Sequence, residues 1–241
     1  MKIKIATWNM AQGNPKYRKS LVGAWDYFLS LDADFYLFQE ARPTLELLND
    51  KNHLIWNEIG GKRNWGSGIY SKNLELIEEQ IRTNFKGVYT IANAQIASTK
   101  LTLISMYGLL YKGRFVMKNL NDMVSELENG LIISDLDKNI ILGGDLNASV
   151  QWDEKQNNNN HQDFFERLRR HQLEDCFKLL NKPYPLQTLR KINSDIPWQN
   201  DYLFISKRFE GNLIYEDKII IDTPEVVNLS DHNIVIITLD L

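Results

Sequence analysis

ILGGDLNASV, residues 141–150, begins as an apolar strand and then meets two glycines, a carboxylate and an amide. Ile141 and Leu142 suit a core. Asp145 and Asn147, set among small residues, do not. One reading is a turn, because Gly, Asp and Asn supply left-handed backbone and local hydrogen bonds. The other is a chemical site mounted on a strand end, where a rigid element aims the side chain and the loop leaves space. The rest of the chain decides between them.

The same ending recurs. KIATWN stops at Asn9, FYLFQE at Glu40 and TLISMY at Tyr107. Each has a bland explanation: a cap for Asn9, a helix-dipole contact for Glu40, an ordinary aromatic for Tyr107, an Asx turn for Asp145 and Asn147. Asp201, in PWQNDYLFIS, could sit on the exposed side of an edge strand. NLSDHNIVIITLDL is harder to explain away, because it puts Ser230, Asp231 and His232 at the mouth of a core strand, where a carboxylate can charge or orient the imidazole.

Residues 2–8, 35–39, 67–71, 89–96, 101–107, 139–143, 201–206, 213–221 and 233–240 read as strands from their length and their β-branched and aromatic content. Helical spacing appears in YRKSLVGAWDYFLSL, FVMKNLNDMVSELENGL and DFFERLRRHQL. Polar QNNNN, residues 156–160, is expected to form a mobile loop before a helix starting near 162. Strands come mostly in pairs with occasional helices, not in strict alternation. This order predicts an α/β fold of the α+β type, with two packed mixed sheets and helices outside, in one domain spanning 1–241.

Composition sets bounds. Apolar residues make up 43% of the 241 and charged residues 24%, so a sizeable core is available. Cys176 stands alone, which excludes an intrachain disulfide and points to a reducing compartment. No stretch has the apolar length of a signal peptide or a membrane span, so a cytoplasmic location is expected. A net charge of −3 weighs against static nucleic-acid binding, but not against an enzyme that brings a cation to a phosphate.

The residue types fit phosphate ester hydrolysis, which needs a cation, a group that orients or deprotonates water, and donors for the phosphoryl oxygens. Glu40, with Asn9 or Asp231, offers the hard oxygens that Mg²⁺ prefers. Asp145 and Asn147 can flank a water, and His232 paired with Asp201 is a strong donor. One cysteine and four scattered histidines make no zinc pattern, and no Walker-type loop is present.

In order along the chain, TWN, FQE, GSGIYSK, ISMYG, GGDLN, NDYLFIS and SDHNIV resemble the signature blocks of the endonuclease/exonuclease/phosphatase superfamily. The resemblance runs from residue 5 to 239. It implies a four-layer αββα sandwich with its site at one end of the sheets. It also implies Glu40 as the main Mg²⁺ ligand (Mn²⁺ substituting), Asn9 and Asp231 on the metal side, and Asp145 with Asn147 at the attacking water. His232, held by Asp201, binds the phosphate, and Tyr107 falls where the repair-nuclease branch carries Tyr.

Two departures count against abasic-site specificity. Ala11 stands where repair enzymes carry Asp, and Gln199-Asn200 precede Asp201 where those enzymes read Arg-Ile. The expected substrate is nucleic acid, held by loop cations including Arg42, Arg63 and Arg114, with Trp65 available to stack on a base. The alternative is a phosphatase or phosphodiesterase for a small or lipid-linked phosphate, of the inositol phosphate or sphingomyelin type.

Overall fold

The computed structural model describes residues 1–110, 116–182, 185–191, 194–216 and 219–241. Among them, the strands of one sheet are β1 (Lys2–Asn9), β2 (Phe35–Ala41), β3 (Leu54–Gly60) and β4 (Arg63–Ser71), later joined by β11 and β12. The second sheet takes β5 (Ile77–Glu78), β6 (Tyr89–Ile96), β7 (Thr99–Met106), β8 (Asn139–Asp145), β9 (Leu173–Asp175) and β10 (Asp201–Ser206). β11 (Ile220–Ile221) and β12 (Ile234–Asp240) close the series. The helices are α1 (Leu21–Ser30), α2 (Leu45–Asn49), α3 (Val116–Asn129), α4 (Val150–Gln156), α5 (Asn160–Arg170), α6 (Cys176–Leu179) and α7 (Pro224–Leu229).

The strand orders are β11-β12-β1-β2-β4-β3 and β5-β6-β7-β8-β10-β9. Each sheet has one parallel pair near its middle, β1 with β2 and β7 with β8, and the remaining pairings are antiparallel. A helix links the strands of each parallel pair, α1 in the first sheet and α3 in the second, as a parallel crossover requires.

The period-2 pattern of the strands explains the layers. In β1 and β12, Ile3, Ile5, Val235, Ile237 and Leu239 point between the sheets, toward Leu103, Ile141 and Leu203. The alternate residues Ala6, Trp8, Ile234 and Ile236 face the other way. There Phe28 and Trp25 of α1 meet Trp8 and Phe38, respectively, in edge-on contacts at 5.5 and 4.8 Å. On the second sheet α3 and α5 bury Leu120, Met123, Leu127, Phe164 and Leu168. With both faces covered, strands of each sheet are buried almost throughout and read as apolar runs. The four-layer αββα sandwich is the observed fold. Among the described residues no helix is long and apolar enough to cross a membrane.

Three expectations need correction. β8 does not stop at 143 but runs through Gly143, Gly144 and Asp145, with Asp201 directly opposite Asp145. Glycine makes this possible: Gly144 has φ +147°, and a Cβ there would lie 1.9 Å from the Met106 carbonyl oxygen. The proposed strand 213–221 is instead a single bridge at Leu213 and the short β11, with Tyr215 exposed between them and residues 217–218 outside the described set. The QNNNN loop is shorter than expected, because α4 extends through Gln156 and α5 begins at Asn160, with Asn157 left-handed at φ 52°.

β3 was not foreseen. It is an edge strand of mostly half-buried residues, joined to β4 by Gly60 and Gly61, both at positive φ.

Candidate functional site

Both parallel pairs end at the same end of the sandwich. Asn9 closes β1, Glu40 lies at the end of β2, Tyr107 follows β7, and Asp145 closes β8. The antiparallel neighbours begin there, with Asp201 opening β10 and His232 two residues before β12. Six chain segments far apart in sequence thus deliver polar side chains to one place.

Under these side chains lies a buried polar layer. Gln39 donates from Nε2 to Thr7 Oγ1 (3.2 Å) and, across to the other sheet, to Ser105 Oγ (2.9 Å). Ser105 Oγ in turn donates to the Phe38 carbonyl (3.0 Å). The sheets are therefore tied by hydrogen bonds directly beneath the site, which fixes the strand ends relative to each other.

Asp145 is the hub. Its Oδ2 accepts from Asn9 Nδ2 (2.8 Å) and Asn147 Nδ2 (3.1 Å), and lies 3.7 Å from His232 Nε2. Its Oδ1 accepts the Asn147 backbone N–H (2.9 Å). One oxygen closes a local Asx turn, and the other turns toward Asn9, Asn147 and His232. Asn9 is built the same way: its Oδ1 takes the Ala11 N–H (2.8 Å), while its Nδ2 bridges Asp145 and Glu40 Oε1 (3.3 Å).

His232 gives Nδ1 to Asp201 Oδ2 at 2.8 Å, and Thr188 Oγ1 accepts the backbone N–H of both Asn200 and Asp201 (2.9 Å each). The loop before β12 is fastened from behind: Ser230 Oγ donates to the Asn9 carbonyl (2.7 Å), and the His232 N–H donates back to Ser230 Oγ (3.0 Å). Asp201 is fully buried, not on an exposed edge: Asp145 of β8 lies opposite it on one side and Thr188 takes its N–H on the other.

Electrostatics follow from burial. Desolvation pushes the Asp145 carboxyl up to about 7, against the pull of the nearby His232. Burial alone would lower His232, but the Asp201 and Asp145 carboxylates override it and raise the imidazole to about 10. The two carboxylates thus favour the imidazolium form of His232. Tyr107 is raised well above its ordinary value by burial, then by the Glu40 and Asp145 charges, and stays a neutral phenol hydrogen-bonded with Glu40.

Three residues at the site hold left-handed backbone. Ala11, Glu40 and Asn147 have φ of 50°, 45° and 49°. A register shift between Phe38 and Ala41 in the β2–β4 pairing brackets Glu40, so a bulge turns this residue out of the ladder.

Two donor sets could receive a cation. Asp145, Asp201 and His232 each offer a ligand atom within 4.8 Å of the others. An imidazolium has no lone pair to give, however, and His232 is already committed to Asp201. Glu40 is the better ligand: a Cβ at Gly13 would lie 2.5 Å from its Oε2, so the missing side chain leaves that oxygen room. Hard oxygens from Glu40 and Asp145, both touching Asn9, fit Mg²⁺ or Mn²⁺.

The structure thus brings together Asn9, Glu40, Tyr107, Asp145, Asn147, Asp201 and His232. Asp231 is half-buried at the margin; its charge acts on Arg190 and His232, and its carbonyl accepts the Arg190 N–H (2.8 Å). Trp65 is buried and meets Tyr107 edge-on at 5.8 Å, with the Arg63 guanidinium 5.5 Å from its ring. Arg42 is exposed, its N–H bonded to Gln12 Oε1 (2.8 Å). Arg114 lies outside the described residues.

Sequence reasoning missed Gln39, Thr188 and Asn200. Asn200 Nδ2 donates to Asn147 Oδ1 (3.2 Å). The only signal for it was its place beside Asp201.

No protein-family model matches the sequence, and no curated protein matches it. Solved structures do match over nearly the whole chain. The AP endonuclease LMAP from Leishmania major has a TM-score of 0.73 at 16% identity, covering 100% of this chain and 88% of that one. The endonuclease domain of TRAS1, a telomere-specific non-LTR retrotransposon, gives 0.69 at 15% identity, covering 99% of both chains. D. rerio TDP2 complexed with a single-strand DNA product gives 0.67 at 16%, covering 100% of this chain and 99% of that one. At this level of identity the likeness is one of fold: the chain shares the architecture of these three structures over nearly its full length.

Proposed function

We propose that this chain is a Mg²⁺-dependent phosphodiesterase, with Mn²⁺ able to substitute, that hydrolyses nucleic-acid phosphodiester bonds and works as one domain over residues 1–241. One observation carries the reading: a buried carboxylate, Asp145, hydrogen-bonded to two amides and facing an imidazolium that a second carboxylate holds. The nuclease part also draws support from the proteins that share the fold, two of them endonucleases and one bound to a DNA product.

In this reading Glu40, with Asn9 and Asp145 beside it, would hold the cation, whose chemistry when bound would be to offset charge on the phosphoryl group. Asp145 takes the proton of the attacking water at Oδ2, a role suited to a carboxyl whose affinity for protons is near neutrality. Water oxygen bonds to phosphorus as the ester bond on the opposite side breaks. Asn147 and Asn200 orient that water and the ester. The Nε2–H of His232 is not consumed by a short bond to Asp145, so it is free to donate to a phosphoryl oxygen as charge builds there. Asp201 keeps the imidazole charged and aimed. Asp231 tunes this margin through Arg190, and Tyr107 steers Glu40.

The test is a divalent-cation activity panel of single- and double-stranded DNA, RNA, abasic duplex, bis-p-nitrophenyl phosphate and inositol phosphates. Cleavage of a nucleic acid that stops in excess chelator supports the reading. Cleavage only of an inositol phosphate or a phosphocholine lipid overturns the nuclease part, and full activity in chelator overturns the metal part.

A further inference from the structure

Beyond the catalytic cluster, one surface combines two features seldom set together. Trp152, on α4, stacks on Trp198 with ring centroids 4.4 Å apart and planes 25° from parallel. Trp198 is fully buried; Trp152 is half-exposed. Two exposed ammonium groups hang over this pair. Lys155 Nζ lies 5.5 Å from the Trp152 centroid and 6.0 Å from that of Trp198. Lys191 Nζ lies 4.9 and 5.7 Å from the same two rings. An indole attracts an ammonium through its quadrupole without cancelling the charge.

What distinguishes the patch is that two ammonium groups converge on one stacked indole pair. Among the described residues, neither Lys155 nor Lys191 has an ion-pair partner, although Glu154 and Asp195 are near them in sequence. A chain of net charge −3 therefore keeps two unneutralised cations side by side on an aromatic surface. Their complement is an anion with flat apolar parts.

The patch is also rigidly coupled to the site. Trp198 is three residues before Asp201, so their Cα atoms are at most about 11 Å apart. Gln151, beside Trp152, donates from Nε2 to the Pro197 carbonyl (2.8 Å) and accepts the Gln199 N–H (3.0 Å). Asn200 then reaches Asn147. A small phosphate bound at Asp145 and His232 would leave the patch empty. A polymer of phosphates and bases, threaded through the site, would cover both.

We infer that Trp152, Lys155 and Lys191 form a flanking subsite for a nucleic-acid strand, the lysines on its phosphates and Trp152 against a base. The inference rests on the phosphodiesterase reading above and narrows its substrate to a polynucleotide that extends past the cleaved bond. Salt slopes then count the contacts, since a single strand loses about 0.7 per neutralised phosphate.

The experiment compares the parent chain with a Lys155→Gln/Lys191→Gln double variant of unchanged Tm. KM for a single-stranded oligonucleotide of about 15 nucleotides is measured across a salt series, beside bis-p-nitrophenyl phosphate. For the double variant the slope of log(1/KM) against log salt is expected to shallow by about 1.4, and the low-salt oligonucleotide KM to rise roughly tenfold more than that for the small diester. Trp152→Phe should bind the oligonucleotide better than Trp152→Ala at equal Tm. An unchanged slope and KM, with the parent cutting the oligonucleotide, overturns the subsite alone. A parent that cleaves the small diester but neither binds nor cuts any oligonucleotide overturns the subsite and the nuclease reading together.

Discussion

Two of the places where the described residues set histidine against a carboxylate are built to opposite rules. Between α3 and α5, Glu128 receives Arg167 at both oxygens (3.1 and 2.7 Å) and His171 Nε2 at 2.7 Å. Arg167 spends its other donors on the Asn121 carbonyl and Ser125 Oγ, both at 2.8 Å. The group is part-exposed, its charges are balanced, and the Arg167 hydrogen bond holds the Glu128 carboxyl below its ordinary value. At the strand ends, Asp145, Asp201 and His232 are almost completely buried, two carboxylates share one imidazolium, and Asp201 Oδ1 has no hydrogen-bond partner. Asp145 is pushed up, not down. A cluster that serves folding satisfies its atoms. One that serves chemistry leaves groups in reserve and carries the desolvation cost.

The largest expected difference is in turnover. His232→Ala should lower kcat by about 10² to 10⁴, and combining it with Asp145→Asn should be little worse than the weaker single variant, because groups acting in one step lose activity non-additively. Additive losses in steady-state kinetics would separate the two residues and break the cluster as a unit. Next comes metal dependence. Glu40→Gln should shift the Mg²⁺ activation midpoint upward by at least about tenfold while Tm holds, since it removes a ligand from a bulge and not from a core. An unmoved midpoint would take the cation away from Glu40.

The distal cluster should answer in the opposite sense. Arg167→Ala should cost about 1–3 kcal/mol in denaturant unfolding, toward the low end because the pair is partly solvated, with kcat intact. Smallest is its pH signature. A depressed Glu128 contributes stability that is present above the ordinary carboxyl value of 4.5 and lost as pH falls through the lower folded value. The Tm gap between parent and Glu128→Gln should therefore close below about pH 4.5, and a gap that widens there would contradict the assignment.

The sequence made visible what strand ends can show. Asn9, Glu40 and Asp145 stood out because each ends an apolar run, and His232 because it opens one. The residues that hold them did not stand out. Gln39 and Thr188 are ordinary polar residues whose partners, Ser105 and the Asn200–Asp201 backbone, lie across the fold. Trp65 looked available for stacking because a glycine-rich strand follows it, yet Tyr107 from the opposite sheet covers its edge. β3 escaped notice because, as a half-buried edge strand, it lacks the apolar run that two buried faces impose on its neighbours. The continuous strand expected over 213–221 failed for a related reason: among the described residues its strand pairing with β12 is confined to a bridge at Leu213 and to Ile220–Ile221, with Tyr215 exposed between them.

The central claim is that the strand-end cluster exists for chemistry and not for the fold, and Asp145→Asn tests it most directly. The substitution keeps size, removes a carboxylate that burial disfavours, and leaves Asp201 and His232 as a balanced pair. With kcat and Tm measured on one preparation, Tm should fall by no more than about a few degrees, because relief of carboxylate desolvation offsets the acceptor lost to Asn9 and Asn147, while kcat falls by about 10² to 10⁴. A lowered Tm with turnover per folded molecule unchanged would make Asp145 a turn residue and contradict the account.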